Sequence, residues 1–184
     1  MRHSIVISVL ILGLSTPAAA QSMSETMENL LAGIDTIATG GQLIMLFDDP
    51  VEELEMVAES PANPLYHRVR ATSFLSTLTK DGGREALFRL SQNEHPEIRR
   101  HAVYGFLRST RGDLTQAEWL RVVTMLETDH VDVQKDIVRG FRWSQDDRAA
   151  TKLKTLTRVE GPLHSLAKRV LKRRAVLLRS VQNQ

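Results

Sequence analysis

The sequence predicts an all-α protein built from about four antiparallel helix pairs and a leading helix. Aromatic residues make up 5% of the 184 residues, whereas alanine, leucine, glutamate and arginine, which favour helices, are plentiful. A set of apolar positions also recurs about every thirty residues with helical spacing. The chain contains no cysteine, so we expect packing alone to hold the fold and exclude thiol chemistry.

The first twenty residues are organised like a secretory signal peptide. Arg2 supplies a positive charge, residues 5–14 form an apolar run, and three alanines precede Gln21. A membrane-spanning helix needs about 20 apolar residues, so we expect residues 1–20 to be removed by cleavage after Ala20. An uncleaved anchor is the alternative. The short charged start is typical of bacterial export and predicts a periplasmic or secreted protein.

The rest of the chain divides into an acidic first part and a repeat domain. Residues 21–47 are predicted to form an N-terminal acidic helix, over residues 24–39, and a linker. The repeat domain follows over residues 48–184, and its first helix pair is predicted over 48–60 and 64–80.

Four nine-residue segments of the repeat domain align at successive offsets of 31, 35 and 30 residues. Their fifth and ninth places hold apolar residues, which therefore share one face of a helix. We assign these segments to the second helix, helix B, of each pair. Gly105 and Gly140 are equivalent, which predicts close approach of neighbouring helices. The fifth-place residues are Ala71, Ala102, Ile137 and Ala167, and the ninth-place residues are Leu75, Phe106, Phe141 and Leu171.

A first helix, helix A, is predicted before each B helix, and the residues between them favour turns. Thr115 and Glu118 form a capping box that opens the third A helix. Prolines stand near the starts of B helices, where the missing N–H costs nothing, and glycines break the chain between pairs. These residues are Pro64, Pro96 and Pro162, and the breaks at 81–83 and 111–113.

The repeated pair resembles the HEAT-repeat family. The segments Glu97-Ile98-Arg99 and Asp132-Val133 are similar to that family's acidic, aliphatic and arginine pattern at the start of helix B. The resemblance covers roughly residues 48–175, although Gln134 and His164 stand where an arginine is usual. It implies a short right-handed α-solenoid whose curved surface is lined by B helices, and no single activity. Because one pair cannot bury its own apolar stripe, about three or more must stack. A stripe from Leu163 to Val181 is expected to cap the last pair.

Charge is distributed unevenly along the chain. Residues 21–60 carry nine acidic residues and no lysine or arginine, whereas residues 61–184 carry 23 basic and 13 acidic residues. Such asymmetry bears on partners rather than on fold. We name the cations predicted on the B helices, away from the apolar stripe, the basic ridge, and include the neighbouring tryptophan in the predicted partner-binding surface. These residues are Arg99, Arg100, Lys135, Arg139, Arg142, Trp143, Arg169, Lys172 and Arg173, and further cations nearby are Arg148, Lys152, Lys154, Arg158, Lys168, Arg174 and Arg179.

Catalytic signatures are weak. Ser165 and Lys168 match the Ser-x-x-Lys motif of penicillin-interacting enzymes, but the Ser-Asp-Asn and Lys-Thr-Gly elements of those enzymes are missing. Lys168 is therefore expected to be a solvated helix residue. Motifs for phosphate, dinucleotide and zinc-protease sites are also missing. We predict no catalytic residue.

The candidate metal ligands have simpler explanations. His95 and His130 stand at equivalent places before successive B helices, where a polar helix-start residue is expected more often than a zinc ligand. Met23 and Met27 lie one turn apart and offer sulfur atoms suited to copper(I), but paired methionines on a helix usually belong to the core. We predict no metal and no cofactor.

The combined pattern predicts a non-catalytic interaction or scaffold module whose basic ridge binds an acidic protein surface. A merely solvated helix face is the alternative. Self-association is a second hypothesis, in which the acidic first segment of one molecule pairs with the basic last helix of another, or folds back onto its own ridge. A HEAT-like lyase or another small-molecule-binding protein would need polar groups converging in a pocket. Anionic membrane binding through residues 168–181 ranks lower, and nucleic acid does not suit an exported protein.

Overall fold

The structure, a computed structural model, describes residues 23–33, 38–80, 82–109 and 114–182. These residues form ten helices and no strand, which confirms the all-α prediction. The predicted signal peptide lies outside the described residues. The helices are α1 Glu25–Ala32, α2 Gly40–Leu46, α3 Pro50–Glu59, α4 Leu65–Leu75, α5 Gly83–Leu90, α6 Pro96–Ser109, α7 Gln116–Thr128, α8 Val131–Gly140, α9 Asp147–Leu156 and α10 His164–Gln182.

The helices contact one another within sequential pairs and between successive pairs. Helix α3 packs on α4, α5 on α6, α7 on α8, and α9 on α10. The second helices of these pairs also contact each other in series, from α4 to α6, to α8 and to α10. Within the described ranges, no extensive contact joins α1, α2 or α3 with α8, α9 or α10. The two ends of the series therefore present separate surfaces.

The repeated apolar positions form the core. The four fifth-place residues are fully buried, as are Leu75, Phe106 and Phe141 at the ninth place, and Leu171 packs against the core while partly exposed. The predicted close approach at the equivalent glycines is confirmed. A Cβ added to Gly105 would lie 3.2 Å from Leu87 Cδ1, and one added to Gly140 would lie 2.7 Å from Leu107 Cδ1.

The leading segment differs from the prediction of one helix over residues 24–39. Helix α1 ends at Ala32, and a second short helix, α2, begins after Thr39 in the stretch predicted as a linker. Thr39 and Gln42 form a capping box, with Gln42 Oε1 accepting from Thr39 N at 2.8 Å. Because Thr39 satisfies free N–H groups of a new helix, it starts one rather than ending the previous one. Residues 34–37 lie outside the described residues.

The predicted helix starts are largely confirmed. Thr115 and Glu118 form the capping box of α7, Pro96 is the first residue of α6, and Gly82 adopts a left-handed φ of 94° before α5. His95 Nδ1 accepts from Glu97 N, in the helix-start role expected of it. Residue 81 and the break at 111–113 lie outside the described residues.

The last helix corrects the prediction of an unbroken apolar stripe. Leu163, Ala167 and Val170 are buried, but Leu177 is exposed. Arg174 is only 4% exposed, and its guanidinium donates to the carbonyl oxygens of Ser144 and Asp146, each at 3.0 Å. An arginine therefore continues the interior face beyond Leu171, because the neighbouring turn at 141–146 offers carbonyl acceptors. The side chains beyond Leu177 lie outside the described part of α10.

Candidate functional site

The structure divides the basic ridge into two groups. In the first group, Arg99 donates to both carboxylate oxygens of Asp129, at 2.8 and 2.6 Å. Arg100 donates to Asp136 at 2.7 Å, and this hydrogen bond raises the pKa of Arg100 further above its usual range. Both arginines thus tie α6 to the following helix pair. Bidentate and charge-assisted contacts of this kind are strong and directional.

The α8 members of the ridge also have acidic partners. Lys135 Nζ lies 2.9 Å from Asp132, and Arg139 pairs with Asp136. Asp136 is buried and accepts from both Arg100 and Arg139. The charges of Arg99, Arg100, Lys135 and Arg139 are therefore largely balanced within the molecule.

The second group lies together at the end of the fold. A cavity of about 550 Å³ lies between the turn that follows α8 and one face of α10. Its α10 residues follow helical spacing at positions 169, 172, 173 and 176, so they share one face. We name this cavity the cationic groove. It is lined by Arg142, Trp143, Arg169, Lys172, Arg173, Val176 and Leu177.

Local structure explains how Arg142 and Trp143 reach the groove. Helix α8 ends at Gly140, and the N–H of its C-cap residue, Phe141, donates to Ile137 O while the Phe141 ring is buried in the core. The following turn is held to α10 by the two hydrogen bonds from Arg174. This anchor places Arg142 and Trp143 beside α10, so one loop and one helix form the groove.

Arg142 and Trp143 form the polar and aromatic floor of the groove. The guanidinium of Arg142 stacks on the Trp143 ring, with its carbon 4.0 Å from the ring centroid. Arg142 Nε and Trp143 Nε1 are buried and have no hydrogen-bond partner among the described residues. Leaving a buried donor unsatisfied costs roughly 1–3 kcal/mol. Because both nitrogens are buried, an acceptor in the groove would reach them only after movement of the two side chains.

The other cations of the groove give it a strong positive charge. Arg169, Lys172 and Arg173 are exposed on α10. Among the described residues, no carboxylate forms an ion pair with these three side chains or with Arg142. Val176 adds an exposed aliphatic side chain at one end. The arrangement can bind an anionic ligand that also carries apolar groups.

The opposite end of the helix series presents acidic and apolar side chains. Ile44, Met45 and Leu46 are 51%, 79% and 54% exposed at the end of α2. Burial, and then the nearby carboxylates Asp48 and Asp49, raise the pKa of Glu53 above its usual value. We name this surface the acidic edge. It consists of Ile44, Met45, Leu46, Asp48, Asp49, Glu52 and Glu53.

No catalytic arrangement accompanies the groove. Ser165 and Lys168 are both exposed on α10. Elsewhere, Ser73 Oγ lies 3.3 Å from His101 Nδ1 and donates to the Val69 carbonyl. Burial and then the neighbouring Arg100 lower the pKa of His101. This pair lines none of the five cavities described for residues 23–33, 38–80, 82–109 and 114–182.

The candidate metal ligands lie at helix starts or along a cavity between helices, and Trp119 packs beside the core. His130 Nδ1 accepts from Asp132 N at the start of α8, as His95 does for α6. Met23 and Met27 line a cavity of about 320 Å³ that also includes Met56. Trp119 stacks on Phe141, with ring centroids 5.9 Å apart.

The described residues contain neither a cluster of metal ligands nor a helix suited to spanning a membrane. Among them, no three His, Cys, Asp or Glu side chains converge as a metal site would require. No helix in the described ranges combines the length and the apolar character needed to cross a membrane.

Sequence reasoning placed five residues of the groove in the predicted surface but missed Val176 and Leu177. The interior stripe predicted for the last helix includes Leu177, and no prediction names Val176. Their exposure follows from where the neighbouring turn at 141–146 ends, which the sequence of α10 does not carry. Comparisons with protein-family models, with curated proteins and with solved structures each find no match.

Proposed function

We propose that this protein is a non-catalytic binding module that holds an acidic protein segment in the cationic groove. The observation that carries the proposal is the contrast within the basic ridge. Four of its cations are balanced by carboxylates of the same molecule, whereas Arg142, Arg169, Lys172 and Arg173 line one cavity with Trp143 and form no ion pair within the described residues. Unbalanced cations around a concave surface attract and orient an acidic partner.

The composition of the groove favours a protein segment with both carboxylates and apolar side chains. Arginine and tryptophan are enriched among the residues that dominate binding energy at protein interfaces. The Arg142–Trp143 stack offers a guanidinium charge beside an aromatic ring, and Val176 offers an aliphatic contact. A carboxylate would pair with the cations of the groove, while an adjacent aliphatic side chain would cover Val176.

We further propose that the helix pairs form a short right-handed HEAT-like solenoid. The series of contacts among α4, α6, α8 and α10 supports this arrangement, as does the recurrence of buried residues at the fifth place. The sequence of residues 1–20 supports export, so we propose that the protein acts in the periplasm or outside the cell.

A defined peptide tests the binding function. Fluorescence anisotropy would measure binding of a labelled peptide in which glutamates alternate with leucines. The variant Arg169→Glu/Lys172→Glu/Arg173→Glu is expected to weaken binding at least about tenfold, since each exposed ion pair contributes up to about 1 kcal/mol. Affinity for the wild type should also fall as salt rises, because exposed charges are screened.

The matched control is Lys154→Glu/Arg158→Glu, which reverses two exposed cations that do not line the groove. Its affinity for the peptide should stay near that of the wild type. Equal weakening by both variants would indicate nonspecific attraction by net charge and would contradict the proposal. So would binding that is unaffected by salt.

A further inference from the structure

We propose that the occupant of the cationic groove is the acidic edge of a second copy of this protein, so that molecules assemble head to tail. This inference rests on the proposed function, because it requires the groove to bind an acidic segment, and it names the partner. It is carried by two surfaces of matching chemistry at opposite ends of one chain.

The acidic edge has the apolar side chains that the groove needs in a partner. Ile44, Met45 and Leu46 are consecutive and each is more than half exposed. They line one shallow cavity together with Asp48 and Glu53. Exposed apolar clusters rimmed by charge are typical of interaction sites. On the other side, Trp143, Val176 and Leu177 provide apolar surface beside the cations.

The charges of the two surfaces are complementary. Asp48, Asp49 and Glu52 are exposed at the start of α3, and no ion pair balances them within the described residues. The raised pKa of Glu53 reflects burial and then repulsion from Asp48 and Asp49. Cations of a partner placed here would relieve that repulsion, just as carboxylates placed in the groove would satisfy its unbalanced cations.

The two surfaces cannot be matched within one molecule as the structure stands. Helices α2 and α3 carry the acidic edge and α10 carries the groove, and no extensive contact joins these ends within the described ranges. The described acidic segment packs near α4 and α5 rather than folding back onto the ridge. A contact between different surfaces of identical molecules leaves one of each surface free, so the assembly extends into a ring or filament.

Two charge-reversal variants test the assembly by sedimentation velocity at low salt. The edge variant is Asp48→Lys/Glu52→Lys, which spares Asp49 because its carboxylate caps α3. The groove variant is Arg169→Glu/Lys172→Glu/Arg173→Glu. We expect the wild type to form species larger than a monomer, increasingly so with concentration, and each variant alone to stay monomeric. An equimolar mixture of the two variants should form species larger than a monomer, since the intact acidic edge of the groove variant can still bind the intact cationic groove of the edge variant.

The outcomes separate this inference from the proposed function. A wild type that stays monomeric at high concentration and low salt while binding the acidic peptide would overturn the inference and leave the binding function standing. Assembly that persists in either variant, or a mixture that fails to assemble, would also overturn it. The edge variant should bind the peptide as the wild type does. If the wild type binds no peptide and assembles through other surfaces, both proposals fail.

Discussion

Gly140 lies where the end of α8 meets a side chain of α6. A Cβ at this position would lie 2.7 Å from Leu107 Cδ1 and 2.8 Å from Leu107 Cβ. Since the Leu107 Cβ is fixed to its helix, relief requires the two helices to separate. Small residues at such a crossing allow the helices to approach closely, and added atoms in a packed interior are destabilising.

We therefore predict that Gly140→Ala lowers the free energy of unfolding by about 1–3 kcal/mol. The control is Gly41→Ala in α2, where an added Cβ would meet nothing within 4 Å. Because alanine favours helix over glycine, the control should be neutral or stabilising by up to about 1 kcal/mol. Urea denaturation of both variants measures the difference. Equal stability of the two variants would mean that the helices separate without cost.

For these single residues, the sequence identifies the cations of the basic ridge but not which of them form ion pairs within the molecule. Helical spacing placed Arg99 and Arg100 outside the apolar stripe, and both are indeed away from it. Their partners Asp129 and Asp136 belong to the next helix pair, 30 and 36 residues further on. Periodicity defines the face of one helix, whereas an ion pair depends on the rotation between two helices. That rotation is set by core packing and is not readable from either helix alone.

At the start of α9, the carboxylate of Asp146 accepts several hydrogen bonds that hold this helix in place. Asp146 is buried, caps α9 by accepting from Arg148 N at 2.8 Å, and accepts from Leu114 N at 3.4 Å. The Arg148 side chain donates to both of its oxygens and to the Leu114 carbonyl. These bonds, the Arg148 side chain first, lower the pKa of Asp146 below its usual value. Helix α9 is thereby fixed to the segment that leads into α7.

We predict that Asp146→Asn lowers the free energy of unfolding at pH 7 by roughly 1.5–3 kcal/mol, since the asparagine keeps the cap but loses charge-assisted bonds. The folded pKa lies below the unfolded value of about 3.9. The stabilisation by the Asp146 carboxylate is therefore complete above about pH 5, and it is lost as the pH falls through the unfolded and then the folded pKa. Urea denaturation at several pH values should show the gap between variant and wild type narrowing in acid. Asp147→Asn, at an exposed neighbour, should change stability by less than about 0.5 kcal/mol.

The first helices show where element prediction succeeded and where it failed. The four later pairs follow the predicted order because their apolar positions repeat. A helix that is hard to recognise in one pair can therefore be identified from the equivalent positions in the others. The leading segment has no second copy, so the single predicted helix rested on composition alone. The capping box of Thr39 and Gln42 can be recognised in the sequence. The prediction does not include it because Gly40 and Gly41 are more typical of a chain break than of the first turn of a helix.

For the whole molecule, the contacts run within helix pairs and between successive pairs, so the stability of one pair depends mainly on the pairs next to it. Where each unit contacts only its neighbours, the free energy is approximately a sum of unit and interface contributions. Both tryptophans, Trp119 in α7 and Trp143 after α8, report on the last two pairs. Circular dichroism reports on all helices. The two signals therefore monitor different lengths of the same structure.

We predict that Leu87→Ala separates these two signals. Leu87 is fully buried in α5 and faces Gly105, so its truncation should cost about 2–5 kcal/mol in the first half of the molecule. In urea, the loss of helical signal should then begin before the tryptophan emission changes. Leu120→Ala, at a residue 56% exposed, should leave the two transitions as close as in the wild type. Coincident transitions in both variants would show that the molecule unfolds as one unit.

The ion pairs between successive helix pairs have a consequence for how such a chain can change in length. Arg84 and Arg89 reach carboxylates 34 residues away, on Glu118 and Glu55, and Arg99 and Arg100 span similar distances along the sequence. Because these partners lie on separate helices, each ion pair requires a fixed rotation of one helix relative to the other. An insertion of one or two residues within a helix would turn the guanidinium away from its carboxylate and leave a partly buried charge without its counter-ion.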